Sequence, residues 1–248
     1  MSDDSSDVNC AAGNRRFATT QWSIVLAAGG TGGDSHKALS RLCEAYWYPL
    51  YAYVRRRTGD AHQAQDLTQA FFAQLLERHG IERADPGRGR FRAFLLTALK
   101  NFLANEWEKA GAAKRGGGRS AIPFDFDSGE SRYRIEPADT LTPEMLYERR
   151  WILTLLDHVL EGLRNELAAA GRGEQFEQLK EALTGEATAE QYATAAEALG
   201  ISPAAAKQAA YRMRKRYRQL FRAEVARTVA DEADVDEEIG RLLKTLGG

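Results

Sequence analysis

The sequence predicts an all-α chain: two small helical domains joined by a flexible linker, the second carrying a helix-turn-helix. Three observations predict it. Ala, Leu, Glu, Gln and Arg are abundant and only six prolines occur in 248 residues, a composition that favours helices over strands. Apolar residues recur at three- and four-residue spacing over long stretches, which makes one sticky face per helix. Cap signals such as Thr142-Pro143 and Ser202-Pro203 mark where helices begin.

Taken in order, residues 1–34 read as a polar tail with a short helix over Phe17 to Ala28, broken by Gly29 to Gly33. Residues 35–110 read as a bundle. Its first helix runs from about Ser35 to Arg57 with an apolar face of Leu39, Leu42, Tyr46, Leu50 and Tyr53, and Pro49 is a place for a kink. Asp60 opens the second, to about Arg78, with Leu67, Phe71 and Leu75 as its core stripe. The third spans about Phe91 to Lys109, with Phe91, Leu95, Ala98, Leu99 and Phe102 turned inward.

Residues 111–142 contain Gly116-Gly-Gly118 and then a mixed stretch without helical period. They read as a linker, partly ordered wherever Phe124, Phe126 and Tyr133 find a surface. Periodicity resumes in 143–228, with helices to about Ala170, over Glu174 to Leu183, Ala189 to Leu199 and Pro203 to Glu224. Residues 229–248 form an acidic extension with a short helix, about Val235 to Leu246.

Several function classes are excluded at this stage. Two cysteines, Cys10 and Cys43, give neither a disulfide framework nor metal spacing. Four histidines, His36, His62, His79 and His158, form no local cluster. There is no phosphate-binding glycine loop, paired-carboxylate motif or nucleophile elbow, so neither an enzyme nor a cofactor is expected. No signal peptide is visible, and no apolar run approaches the ~20 residues of a membrane helix. A cytoplasmic protein that does not engage membranes is the expectation.

Charge is distributed unevenly. Lys207 to Arg227 holds eight bases against Glu224 alone, and Asp231 to Glu238 holds six acids without a base. Such a pairing suggests an anion-binding element beside a tail that either screens it or packs as structure through Ile239, Leu242 and Leu243. The basic helix belongs to the strongest local motif, Tyr192 to Lys207. There Ala195 and Ala196 permit close helix approach, Gly200 takes the turn, Ile201 plugs the gap, Ser202 caps and Pro203 follows. Ala206, Ala210, Met213, Tyr217 and Leu220 must face the core, which leaves Lys207, Gln208, Tyr211, Arg212, Arg214 and Lys215 outward. Gln208, Tyr211 and Arg212 suit base edges in a major groove, and Arg214, Lys215 and Arg218 suit phosphates. The bland reading is a solvated basic helix in an ordinary hairpin.

Two further surfaces stand out. Asp66, Gln69 and Ala73 lie opposite the second helix's core stripe, with Phe72 and Leu76 at its flank. This is a partner surface, or a solvated face whose Phe72 is covered by another helix. Arg88 to Arg119 holds eight bases near Phe91, Phe94, Phe102 and Trp107. Bases among aromatics suit single-stranded nucleic acid, unless the aromatics are simply core.

Three segments resemble, in order, the two-domain extracytoplasmic-function (ECF) sigma factors of bacterial RNA polymerase. Asp60 to Leu76, with its Asp-Leu-x-Gln-x-x-Phe pattern, resembles conserved region two; Phe91 to Asn101 resembles the helix leading into minus-ten recognition; Ala195 to Arg214 resembles region four. The resemblance implies a protein that binds core polymerase and directs promoter recognition and transcription initiation. It implies docking of Asp66, Gln69, Ala70, Phe72 and Ala73 on the β′ clamp helices, and a region-four contact with the β flap. Arg88, Arg90, Arg92, Lys100, Asn101 and Asn105 would meet the minus-ten strand. Ser202, Lys207, Gln208, Tyr211, Arg212, Arg214, Lys215 and Arg218 would meet the minus-thirty-five duplex. An anti-sigma factor or other regulator is a further partner the family allows. The sequence departs from the family's minimal pattern at Asn105, Glu106 and Glu108 and in the acidic extension. The rival reading is a helix-turn-helix regulator that binds DNA without polymerase.

Overall fold

The computed structural model describes residues 33–77, 90–112, 124–135, 141–183, 185, 187–229 and 231–247. Among them lie nine α-helices and no strand. The tail helix expected over Phe17 to Ala28 and the loop carrying Arg88 lie outside the described residues.

Helices α1 (Gly33–Thr58), α2 (Ala61–Glu77) and α3 (Phe91–Ala112) form the first bundle. Pro49 sits inside α1 without ending it. Leu42, Tyr46, Leu50 and Tyr53 are buried, as are Phe71 and Leu75 of α2 and Phe91, Leu95, Leu99 and Phe102 of α3. The backbone N–H of Gln63 donates to Asp60 Oδ1 at 2.7 Å and so caps α2.

Part of the linker span has a fold of its own. Helix α4 (Phe126–Arg134) is capped by Asp125, whose side chain accepts from the Ser128 N–H. It packs on α1 through the aromatics expected to anchor it. Phe124 stacks on Trp47 with centroids 5.9 Å apart, and Phe126 meets Tyr51 edge-on at 5.5 Å. Tyr51 donates to Glu130 Oε2 at 2.7 Å, and Arg55 Nε reaches the same oxygen at 3.1 Å. Burial pushes the Glu130 pKa up, but these donors outweigh it and hold the carboxyl below its usual range. Gly129 is required by contact: a Cβ there would lie 2.9 Å from the Trp47 ring.

Helix α5 (Pro143–Ala169) is capped by Thr142 with Pro143 in its first turn. It joins the two cores. Tyr147, Trp151, Ile152, Leu155 and Val159 pack with α1 to α4, whereas Leu163 and Leu167 pack with α6 (Gly173–Leu179), α7 (Ala189–Leu199) and the start of α8 (Pro203–Ala226). The far end of α8, Phe221 and Val225, returns to the first core. Helix α9 (Val235–Gly247) packs there too, with Val235 and Leu242 buried and Leu243 54% exposed. The acidic extension is therefore built into the fold. Its only ion pair to the long basic helix among the described residues joins Asp236 to Arg222, beyond the stretch Lys207 to Arg218.

Candidate nucleic-acid interface

The helix-turn-helix is specified locally. Thr188 and Gln191 make a reciprocal capping box at the start of α7. Gly200 ends that helix with φ at 63°, a left-handed conformation that a side chain would strain. Ser202 accepts from the Ala205 N–H at 3.2 Å and starts α8. Between the helices lie Ala195, Ala196, Ala206, Ala209, Ala210 and Met213, all buried. Small side chains here bring the two backbones together. Ile201 is 40% exposed, so it does not plug the gap as its position in the turn suggests; the alanines already close it.

One face of α8 is left open. Ser202, Lys207, Gln208, Tyr211, Arg212, Lys215 and Arg218 are exposed, Tyr211 by 66%. None of the four bases among them pairs with a described carboxylate. Arg214 differs: it is half-buried and donates to the Tyr192 hydroxyl at 3.0 Å. Arg216 forks onto Glu166 of α5 at 2.8 and 2.9 Å and fixes the helix against its neighbour. Thus α8 carries a free basic face and a set of tethered arginines.

In the first bundle, Asp66 is exposed, while Gln69, Ala70 and Ala73 are half-buried. Phe72 is 1% exposed and belongs to the core rather than to a docking face. Its ring lies 5.0 Å from that of Phe124 and 5.7 Å from that of Phe71. The roof comes from the segment before α4, which spacing within α2 cannot reveal.

The residues assigned to the minus-ten strand divide. Asn101 and Asn105 are exposed on α3. Lys100 is exposed and paired with Glu144 at 2.8 Å. The Lys100 contact lowers the Glu144 pKa. Arg92, by contrast, is 1% exposed. Its guanidinium lies 4.3 Å from the Trp151 ring centroid and donates to Glu148 Oε2 at 3.1 Å and to Glu238. Burial disfavours its charge, yet these two carboxylates outweigh it and raise its pKa. Arg90 pairs with Glu238 at 2.5 Å. Arg92 is therefore enclosed by Trp151 and Glu148 of α5 and Glu238 of α9 rather than on the open surface expected of it, and Arg90 is half-buried and engaged by the same Glu238.

Of the aromatics near the basic stretch, Phe91 and Phe102 are core and Phe94 is half-buried. Trp107 is 38% exposed, with the Arg57 guanidinium 5.2 Å from its ring centroid. Spacing alone does not separate it from its neighbours; only its place past the α3 core stripe marks it. The described residues hold no His, Cys, Asp and Glu group fit for a metal, and no described helix is long and apolar enough to cross a membrane.

Comparison with curated proteins and with solved structures gives no match. The family model of sigma-70 region 2 matches residues 42–113, from within α1 to the end of α3. Over residues 42–113, less than a third of the chain, the protein is thus similar to region 2 of sigma-70 factors.

Proposed function

We propose that the chain is an ECF-type sigma factor that reads two promoter elements. The observation that carries the reading is the order of its parts: a region 2 domain over 42–113 followed by a capped helix-turn-helix with an unpaired basic face. Asp66, Gln69 and their half-buried neighbours Ala70 and Ala73 dock on the β′ clamp helices, and the helix-turn-helix unit contacts the β flap. Asn101, Asn105 and Lys100 face the minus-ten strand. Ser202, Lys207, Gln208, Tyr211, Arg212, Lys215 and Arg218 face the minus-thirty-five duplex, with Gln208 and Arg212 suited to bidentate base contacts. Domain limits near 35–110 and 143–228, a bacterial cytoplasmic setting and a non-enzymatic role follow from the same reading.

Co-purification tests it against a regulator that ignores polymerase. The tagged chain should retain core RNA polymerase, and Asp66→Arg should lose it while circular dichroism stays unchanged, because Asp66 is exposed. Duplex binding without polymerase retention would favour the regulator.

A further inference from the structure

Three guanidiniums, from Arg90, Arg92 and Arg241, converge on the carboxylate of Glu238, a side chain with no solvent exposure. Glu148 supplies the second negative charge, on Arg92 and, at 3.8 Å, on Arg241. Glu238 and Arg241 ride on α9, whereas Arg90 and Arg92 stand at the start of α3. Departure of α9 would leave two arginines against Glu148, a site with net positive charge. Donors are left over even in the closed form: no described acceptor reaches the buried Nε of Arg90 or Nη1 of Arg92. Arg90 is 32% exposed and forms the mouth of the site. A phosphate offers the same planar fork of acceptors to a guanidinium as a carboxylate does, with more oxygens.

We propose that Arg90 and Arg92 form a site for a backbone phosphate of single-stranded nucleic acid, and that Glu238 of α9 fills it in cis. The inference rests on the minus-ten reading above and deepens it: the acidic extension competes with the strand at α3, not with the duplex at α8. Helix α9 is anchored by Val235 and Leu242 and by the exposed Asp236–Arg222 pair, so it can leave without the α7–α8 core being opened.

The test uses the full chain and a fluorescein-labelled oligothymidine strand, read by anisotropy across a salt series. Glu238→Gln keeps the side chain's volume and removes its charge. Leu242→Ala loosens α9 without touching the arginines. Each should tighten binding about tenfold at low salt, the equivalent of about 1.4 kcal/mol. Each should also steepen the salt dependence by about 0.7 per phosphate gained. Adding Arg90→Ala should abolish the gain. Hydrogen exchange of the α9 amides reports whether the helix has been released. Unchanged strand affinity in both variants, whether or not α9 loses protection, overturns the proposal, as does a gain that survives Arg90→Ala. Polymerase retention and duplex binding by the same variants separate the two ideas. If these persist, only the cis plug fails; if wild type lacks them, the function proposed above fails instead.

Discussion

Basic residues on one helix should behave differently according to what holds them. Arg212, Lys215 and Arg216 all lie on α8 and all are exposed. Arg216 is committed to Glu166, whereas Arg212 and Lys215 pair with no described carboxylate. Truncating Arg212 or Lys215 therefore breaks no internal contact, and Ala is as good a helix former, so stability should move by less than about 0.5 kcal/mol. Any loss of binding then belongs to the interface. Arg212→Ala should cost about 1–3 kcal/mol on the cognate duplex, roughly 5- to 150-fold, with preference relaxed at one base position. Lys215→Ala should weaken cognate and scrambled duplexes alike and lower the salt slope by about one. Arg216→Ala should leave the slope alone and cost at most about 1 kcal/mol of stability, as an exposed pair does. Fluorescence anisotropy on both duplexes from low to moderate salt, with urea melts alongside, measures all three. Equal losses from Arg212→Ala on both duplexes would refute a base-reading role. A salt slope that falls for Arg216→Ala but not for Lys215→Ala would mean that the wrong face has been turned to DNA.

Three more outcomes follow from the packing. Phe72→Ala should cost about 3–5 kcal/mol of stability, because it empties a site enclosed by Phe71 and Phe124; a stable variant that lost only polymerase affinity would put Phe72 back on the docking face. Gly129→Ala should loosen α4 from α1 by about 1–3 kcal/mol, since the new methyl meets the Trp47 ring, and unchanged tryptophan fluorescence and melting would contradict this. Burial lowers the His158 pKa from 6.5, with Arg227 adding to the shift and Glu224 opposing it. The unfolded chain then binds the proton more readily, so stability should fall as pH drops below about 6.5, and His158→Gln should flatten that slope in urea melts.

What could be read from the sequence was whatever neighbouring residues decide. Thr142, Gly200 and Ser202 announce their caps and turn because the hydrogen bonds involved span three or four positions. The stripes of α1, α3 and α8 were legible for the same reason: one periodicity fixes one buried face. Helix α4 was not, because Ser128, Gly129 and Ser131 carry little helical preference and the segment is held by Trp47 and Arg55 some eighty positions away. Arg92 looked like a free base for the same kind of reason. Its partners, Glu148 and Glu238, lie 56 and 146 positions on, and nothing local distinguishes a solvated arginine from one waiting for two carboxylates. The acidic run suggested a screen for the basic helix, but its amphipathic pattern determined the outcome. Val235 and Leu242 needed a core, and burying them carried Glu238 to the start of α3.

The proposed sigma factor combines a polymerase-binding region 2 with a promoter-reading helix-turn-helix in one chain. Run-off transcription with purified core RNA polymerase on a genomic template library tests it most directly. Discrete start sites should appear only when the chain is added, share an upstream duplex element, and be lost together with Asp66→Arg and selectively with Arg212→Ala. Transcripts no different from core polymerase alone, from a chain that still binds duplex DNA, would contradict it.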